Sequence, residues 1–197
     1  MSRTALLALL GLAAVPVLAD DKPKPAAQDQ AAMMQAYEKH ATPGPAHKKL
    51  DPLVGTWIYT AQFWMSPDQP PMKMKGTATR KWIMGGRFLQ DDVANDAAGG
   101  MPFQGLGLTG YDNHLQKYVG TWVDSMTTSI MHSVGEASAD GKTFTFHHED
   151  YDPMLGQKVK SRDVTRITGP DSNTAEFYRT VGGKETKAGE IHFTRKK

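Results

Sequence analysis

The sequence predicts an all-β protein, an antiparallel up-and-down barrel of about ten strands with a short N-terminal helix. Three observations point there. From Leu53 onward, short stretches alternate between apolar and polar residues, the pattern of strands with one buried and one wetted face. Clusters of Gly, Pro, Asn and Asp interrupt these stretches at roughly ten-residue intervals. The links are short, so successive strands pair as antiparallel neighbours. Ten such strands in an open sheet would leave unpaired edges, which closure removes. A two-sheet sandwich with a solid core is the competing architecture.

The chain opens "MSRTALLALLGLAAVPVLAD". Arg3 precedes an apolar run ending near Leu18, and the small residues Val17 and Ala19 precede a cleavage point. This is the pattern of a secretory signal peptide over residues 1–19. The run is shorter than the ~20 residues a membrane-spanning helix needs, so no membrane anchor is expected after cleavage. A periplasmic or secreted location follows. Cleavage leaves 178 of the 197 residues and lowers the formal charge from +2 to +1 by removing Arg3. A balance so near neutral gives no reason to expect a nucleic-acid partner. Cysteine is absent, so the exported chain must rely on packing and not on disulfides.

Residues 20–46 form a leader. "DDKPKPAAQDQ" is polar and flexible in character, and Ala26 to His40 is rich in helix formers. "TPGP" at 42–45 ends any helix. The barrel domain then occupies 47–197.

Its first strand, about Gly55 to Met65, places Trp57, Tyr59, Ala61, Phe63 and Met65 on one face. Met72 to Trp82 alternates most clearly: Lys73, Lys75, Thr77, Thr79 and Lys81 oppose Met72, Met74, Gly76, Ala78, Arg80 and Trp82. Eight further strands are expected at Arg87–Val93, Phe103–Tyr111, Lys117–Asp124, Thr127–Gly135, Thr143–Glu149, Gln157–Ile167, Thr174–Val181 and Lys184–Arg195. "MGG", "YDNH", "ADGK", "DPMLG", "GPDSN" and "GG" supply the turns between them, and Asp140-Gly141 is a strong hairpin signal.

"VGTW" occurs twice, at 54–57 and 119–122. A shift of 65 residues aligns the copies and little else beyond Leu50 with Leu115 and Gly76 with Gly141. A duplicated domain would match throughout, so the string is one local device used on two strands. Glycine lies two residues before tryptophan on the same face, leaving room beside the indole.

The first copy opens strand one, where lipocalin-like barrels carry a Gly-x-Trp. The longer strings "HKKLDPLVGTW", "GTATRKWIMGGRFL", "PFQGLGLTGYDNHLQKYVGTWVDSM", "GEASADGKTFTF" and "HFTRKK" together resemble a bacterial family, domain-of-unknown-function family 1579, over His47 to Lys197. The resemblance implies a lipocalin-like (calycin-type) barrel. It implies no activity and no catalytic residues.

Candidate ligand-binding residues follow from the faces. Trp57, Tyr59, Trp82, Tyr111 and Trp122 would line the lumen, with Arg80, Asp124 and His132 as polar contacts. A buried Arg80 needs a partner, and Asp124, following Trp122 on one face, is a candidate. The two could be a structural pair, separate rim residues, or an anchor for a ligand carboxylate or hydroxyl. His132 shares a face with Thr128, Ile130 and Val134. It could be a satisfied core residue, a general base, or an axial haem ligand, though no CxxCH exists. Gly105 and Gly107 would make room for a ligand or for neighbouring indoles. "HHEDYD" at 147–152 gathers metal-capable groups, but His147 and His148 point to opposite faces, so a solvated strand end is expected and no metal site. The Met pairs of "MKMK" read as core packing. No GxSxG or HExxH is present, and no cofactor is expected. Three functions remain open. One is a carrier of a small apolar or amphipathic ligand. Another is a cofactor-free lyase, isomerase or hydrolase using Asp124 or His132 as acid/base. The last is a partner-binding module whose lumen is filled by its own aromatics.

Overall fold

The computed structural model describes residues 27–66, 69–96, 101–152 and 155–197. The expected signal peptide and residues 20–26 of the leader lie outside these residues. The chain divides into two units between Tyr37 and Glu38. Helix α1 spans Ala27–Ala41, close to the expected 26–40, and Met33, Met34 and Tyr37 on it are exposed. No described helix is long and apolar enough to cross a membrane.

The larger unit is a closed barrel of ten antiparallel strands in chain order. The strands are β1 Gly55–Phe63, β2 Met72–Ile83, β3 Phe88–Asn95, β4 Gln104–Asp112 and β5 Lys117–Asp124, then β6 Met131–Ala137, β7 Thr143–Asp152, β8 Gln157–Gly169, β9 Ser172–Val181 and β10 Lys184–Arg195. β1 pairs with β2 on one side and β10 on the other, so the sheet has no free edge. All ten expected strands are present. The largest boundary difference is at β6, which starts at Met131 and not Thr127.

One end of the barrel is plugged by α2 (Pro45–Lys48) and a single 3-10 turn, Asp51–Leu53. Proline at the first or second position suits each of these short helices, because the N–H it lacks would be unpaired there anyway. Leu50 and Leu53 are buried against Leu89, Tyr118 and Phe144. Polar ends of lumen aromatics hold the plug as well. The Trp57 indole N–H donates to Leu53 O at 2.9 Å, Trp82 N–H to Asp51 Oδ1 at 2.8 Å, and Tyr118 O–H to Ala46 O at 2.8 Å. Tyr111 stacks edge-on against Tyr118 and the His47 ring. Asn113 donates to His40 O and Thr42 O, fixing the chain before the plug.

Arg195 on the last strand locks this end. Its guanidinium lies 4.1 Å from the Trp57 ring centroid and donates to Val54 O and Pro52 O, while Asp171 pairs with it at 3.1 Å. Gly55 has φ 127° and a Cβ there would sit 2.4 Å from Arg195 Nη1. The first "VGTW" glycine thus makes room for Arg195, not for its own tryptophan. The second copy behaves alike: a Cβ on Gly120 would meet Ser133 Oγ at 2.7 Å. Space for the Trp122 indole comes from the neighbouring strand, where a Cβ on Gly105 would lie 2.2 Å from Trp122 Cζ2. Gly105 and Gly107 therefore accommodate an indole, one of their two expected roles.

Candidate functional site

Pairing register assigns every lumen residue. Trp57, Tyr59, Arg80, Trp82, Tyr111, Trp122 and Asp124 all take inward positions, as expected. The polar ends of three of them are committed within the chain. Trp57 and Trp82 hold the plug, and Trp122 N–H donates to Asp124 Oδ2 at 2.8 Å.

Arg80 is buried, but its partner is not Asp124. Asp91 lies directly opposite it on β3 and accepts from Arg80 Nε at 2.9 Å; Arg80 Nη1 donates to Asn173 Oδ1 at 3.0 Å. The guanidinium also stacks 4.3 Å from the Phe193 ring centroid. Adjacent strand positions bring Cβ atoms within about 5 Å, whereas Asp124 is on β5, opposite Gly105. Asp124 instead ties the β5–β6 turn, its Oδ1 accepting from Met126 N and Thr127 N.

His132 is a correction. It lies outside the barrel, exposed, with Ile130 and Val134 on the same outward side. The inward face of β6 carries Met131, Ser133, Gly135 and Ala137. That face is crowded: a Cβ on Gly135 would lie 2.3 Å from Thr145 O. Small residues must point in from Ser133 to Ala137, so Val134 and Glu136 point out. His132 therefore cannot act on a ligand in the lumen.

Above the plug the lumen holds a chamber of about 90 Å³. Leu50, Leu53, Leu89, Phe144 and Phe146 form its apolar walls, and Arg80, Asp91, Thr109 and Thr165 its polar ones. A water needs about 10–15 Å³ measured this way, so the chamber takes a few waters or a small organic group. A broader concavity of about 580 Å³ lies against the outer faces of β2–β5, with Thr77, Thr79, Gln104, Leu106 and Ser125 in its lining. It gathers none of the buried polar side chains.

Beyond the chamber, the far half of the lumen contains a cluster that the sequence reading passed over. β7 runs on to Asp152, so His148, Asp150 and Asp152 of "HHEDYD" point inward in alternation. The stretch is a lumen wall, not the solvated strand end expected. His147 does point away from His148, out to solvent, as expected. The His148 side chain is 4% exposed; its Nε2 sits 2.8 Å from Asp150 Oδ2 and its Nδ1 3.8 Å from Asp163 Oδ2. Arg179 Nη1 donates to Asp152 Oδ2 at 2.7 Å. Ser161 lies between them, in register with His148 on one side and Arg179 on the other.

The environment moves the proton affinities here. Burial pushes the Asp163 carboxyl up to about 6, reinforced by the Asp150 charge and opposed by His148, Arg179 and Arg162. Its in-register neighbours are Phe146 and Phe177, which explains the weak solvation. Burial alone would lower His148. The hydrogen bond to Asp150 and the charges of Asp163 and Asp150 outweigh burial and Arg179, so its pKa is raised. At the plug, burial lowers His47.

Among the described residues four buried side-chain atoms lack a hydrogen-bond partner: Asp91 Oδ1, Asn173 Nδ2, His148 Nδ1 and Ser161 Oγ. All four belong to inward positions. Native interiors rarely leave such groups unpaired. Among the described residues no group of three or more His, Asp or Glu side chains has the geometry of a metal site.

Fold and lumen together define a lipocalin-like barrel, plugged at one end and carrying polar groups inside. The chain belongs to the family described as "Protein of unknown function (DUF1579)", whose model matches residues 42–195. Among solved structures it is similar to Rv2717c from M. tuberculosis, at 17% identity and a TM-score of 0.60, covering 79% of this chain and 100% of that one. At that identity the likeness shows the fold alone. No curated protein matches the chain.

Proposed function

We propose that this protein is an exported binding protein that holds a small amphipathic molecule in its barrel lumen. The observation that carries the reading is the chamber: five apolar side chains with Arg80, Asp91 and two threonines converging on the same space. Apolar walls with a few converging polar groups are the usual make-up of a small-molecule site. The chamber is small, so the occupant is a short-chain compound or one end of a longer one. Arg80 spends Nε and Nη1 on Asp91 and Asn173, which fixes its fork in place. Export rests on the first 19 residues.

The reading as a filled, partner-binding module draws on the plugged half, where aromatics occupy the lumen. The acid/base enzyme reading gains nothing from its two named residues. His132 is outside, and Asp124 uses both oxygens as acceptors for the turn and for Trp122.

Native mass spectrometry of protein purified from the envelope or medium of its own host tests the proposal. A low-mass adduct that leaves on denaturation is the expected result. Polypeptide mass alone, with no uptake of short-chain alkyl compounds, contradicts it. Recovery of the protein with residues 1–19 still attached contradicts export.

A further inference from the structure

Among the described residues, the far half of the lumen carries an unbalanced charge. Asp150, Asp152 and Asp163 face His148 and Arg179 there, three carboxylates against two bases even with the imidazole protonated. Asp124, also inward, adds a further carboxylate at this end. Deeper in, Arg80 is already matched by Asp91, and Arg195 at the plug is matched by Asp171. Lys184 has inward parity but sits exposed at the tip of the β9–β10 hairpin. The excess is local, because the chain as a whole is formally +2.

Two buried groups aimed into this cluster lack partners among the described residues. His148 Nδ1 is 3.8 Å from Asp163 Oδ2, beyond a hydrogen bond, and Ser161 Oγ next to it has none either. Both side chains are more than nine-tenths buried. Asp163 keeps contact with solvent, its side chain 23% exposed, while its strand neighbours Phe146 and Phe177 present rings in register with it. A carboxylate beside aromatic rings suits an organic cation: the carboxylate supplies the counter-charge and ring faces attract positive charge. Phe146 also lines the chamber, so one side chain borders both places.

We infer that the lumen is built for a primary ammonium compound, its charged end at Asp163 with Ser161 and Asp150 beside it and its short apolar body in the chamber above Leu50 and Leu53. Resting on the lumen-binding proposal, the inference names the ligand's chemical class. The ammonium balances the third carboxylate and donates to oxygen atoms, including the unpartnered Ser161 Oγ. A carboxylate ligand would add yet another negative charge to the cluster, and an alcohol would leave the excess uncompensated.

The pH dependence follows. The groups facing Asp163 are His148 and Asp150 from β7 and Arg179 from β9, with Arg162 beside it on β8. The Asp163 carboxyl titrates near 6 and must be ionised to hold the cation. Ammonium affinity is therefore full above pH 7 and falls as the pH drops through 6, by about tenfold at pH 5. Deprotonation of His148 at higher pH makes the cluster more negative and acts in the same sense.

Isothermal titration calorimetry of the mature protein with n-hexylammonium, n-hexanol and n-hexanoate tests this. At pH 7.5 hexylammonium should bind at least tenfold more tightly than the other two. Its affinity should fall about tenfold at pH 5, while that of hexanol stays constant. Asp163→Asn should remove the ammonium preference and keep hexanol binding, and Asp92→Asn, on the outer face, should leave the preference intact. Hexanol or hexanoate binding as tightly as hexylammonium overturns the cation inference and leaves the lumen-binding proposal standing. Binding of none of the three overturns both. If Asp163→Asn does not fold, the three-probe comparison and the pH dependence of the unaltered protein still decide.

Discussion

Compare the two halves of the lumen. In the plugged half, the N–H groups of Trp57 and Trp82 and the hydroxyl of Tyr118 all donate to the 46–53 segment, and Arg195 closes the wall over Trp57. In the far half, His148 Nδ1 and Ser161 Oγ are buried without partners, and the carboxylates outnumber the bases. Satisfied polar atoms around apolar packing are what stability selects. Unsatisfied atoms and surplus charge cost stability and persist where something else uses them. The polar ends of the aromatics near the plug are therefore committed within the chain, the proposed site for the ligand's charged end falls to β7, β8 and β9, and the chamber beside Arg80 and Asp91 lies between the two.

That contrast breaks most sharply at Trp57. Trp57→Ala removes a buried indole that holds both plug and Arg195, and should cost about 3–5 kcal/mol in chemical denaturation. Hexylammonium affinity of the fraction still folded should be little changed. Arg80→Ala strands Asp91 and Asn173 between the halves and should cost a similar amount, about 3–5 kcal/mol, since it leaves a buried charge alone. An Arg80→Ala protein of normal stability would mean the Arg80–Asp91 pair is idle. Gly105→Ala drives a methyl into the Trp122 ring and should cost about 1–3 kcal/mol.

Smaller effects sharpen the far half. Asp163 and His148 both have raised pKa values in the folded chain. A raised value contributes stability that is present at low pH and lost as the pH rises through the folded-state pKa. Wild-type stability should therefore fall between pH 5 and 7.5. Asp163→Asn should flatten that decline and gain on the order of 1 kcal/mol at pH 7.5 relative to its effect at pH 4.5. Below about pH 4 the sign reverses, because Glu176 and Glu190, lowered first by hydrogen bonds from Lys187, lose their contribution as they protonate. Smallest of all, Ser161→Ala deletes a hydroxyl with no partner, so thermal unfolding should be unchanged or slightly raised. Its hexylammonium affinity should still drop.

How much of this the sequence carried depends on the interaction. Period-two alternation and turn chemistry placed all ten strands, because both are local. The inward faces of β1, β2, β4 and β5 were also legible, since Trp57, Arg80, Gly105 and Trp122 break or mark the alternation themselves. Partner choice was not. Arg80 finds Asp91 through the β2–β3 register, and Asp91-Asp92 offers one acid to each face with nothing local to say which is inward. His132 was misplaced because its face looked apolar, while the true inward face of β6 is Met131 followed by the small residues Ser133, Gly135 and Ala137, fitted to Thr145, Phe146 and Gly120 across the strands. The far cluster had a readable signal. Phe144, Phe146, His148, Asp150 and Asp152 share one parity, and extending β7 by three residues would have shown three chemistry-bearing side chains pointing inward.

A titration of ¹⁵N-labelled protein with hexylammonium at pH 7.5, followed by two-dimensional NMR, tests the division of the lumen most directly. The expected result is movement of the backbone amides of His148, Ser161, Asp163 and Arg179, with the indole N–H signals of Trp57 and Trp82 fixed in place. Movement of those two indole signals with the β7–β9 amides unchanged, or no movement anywhere, would contradict it.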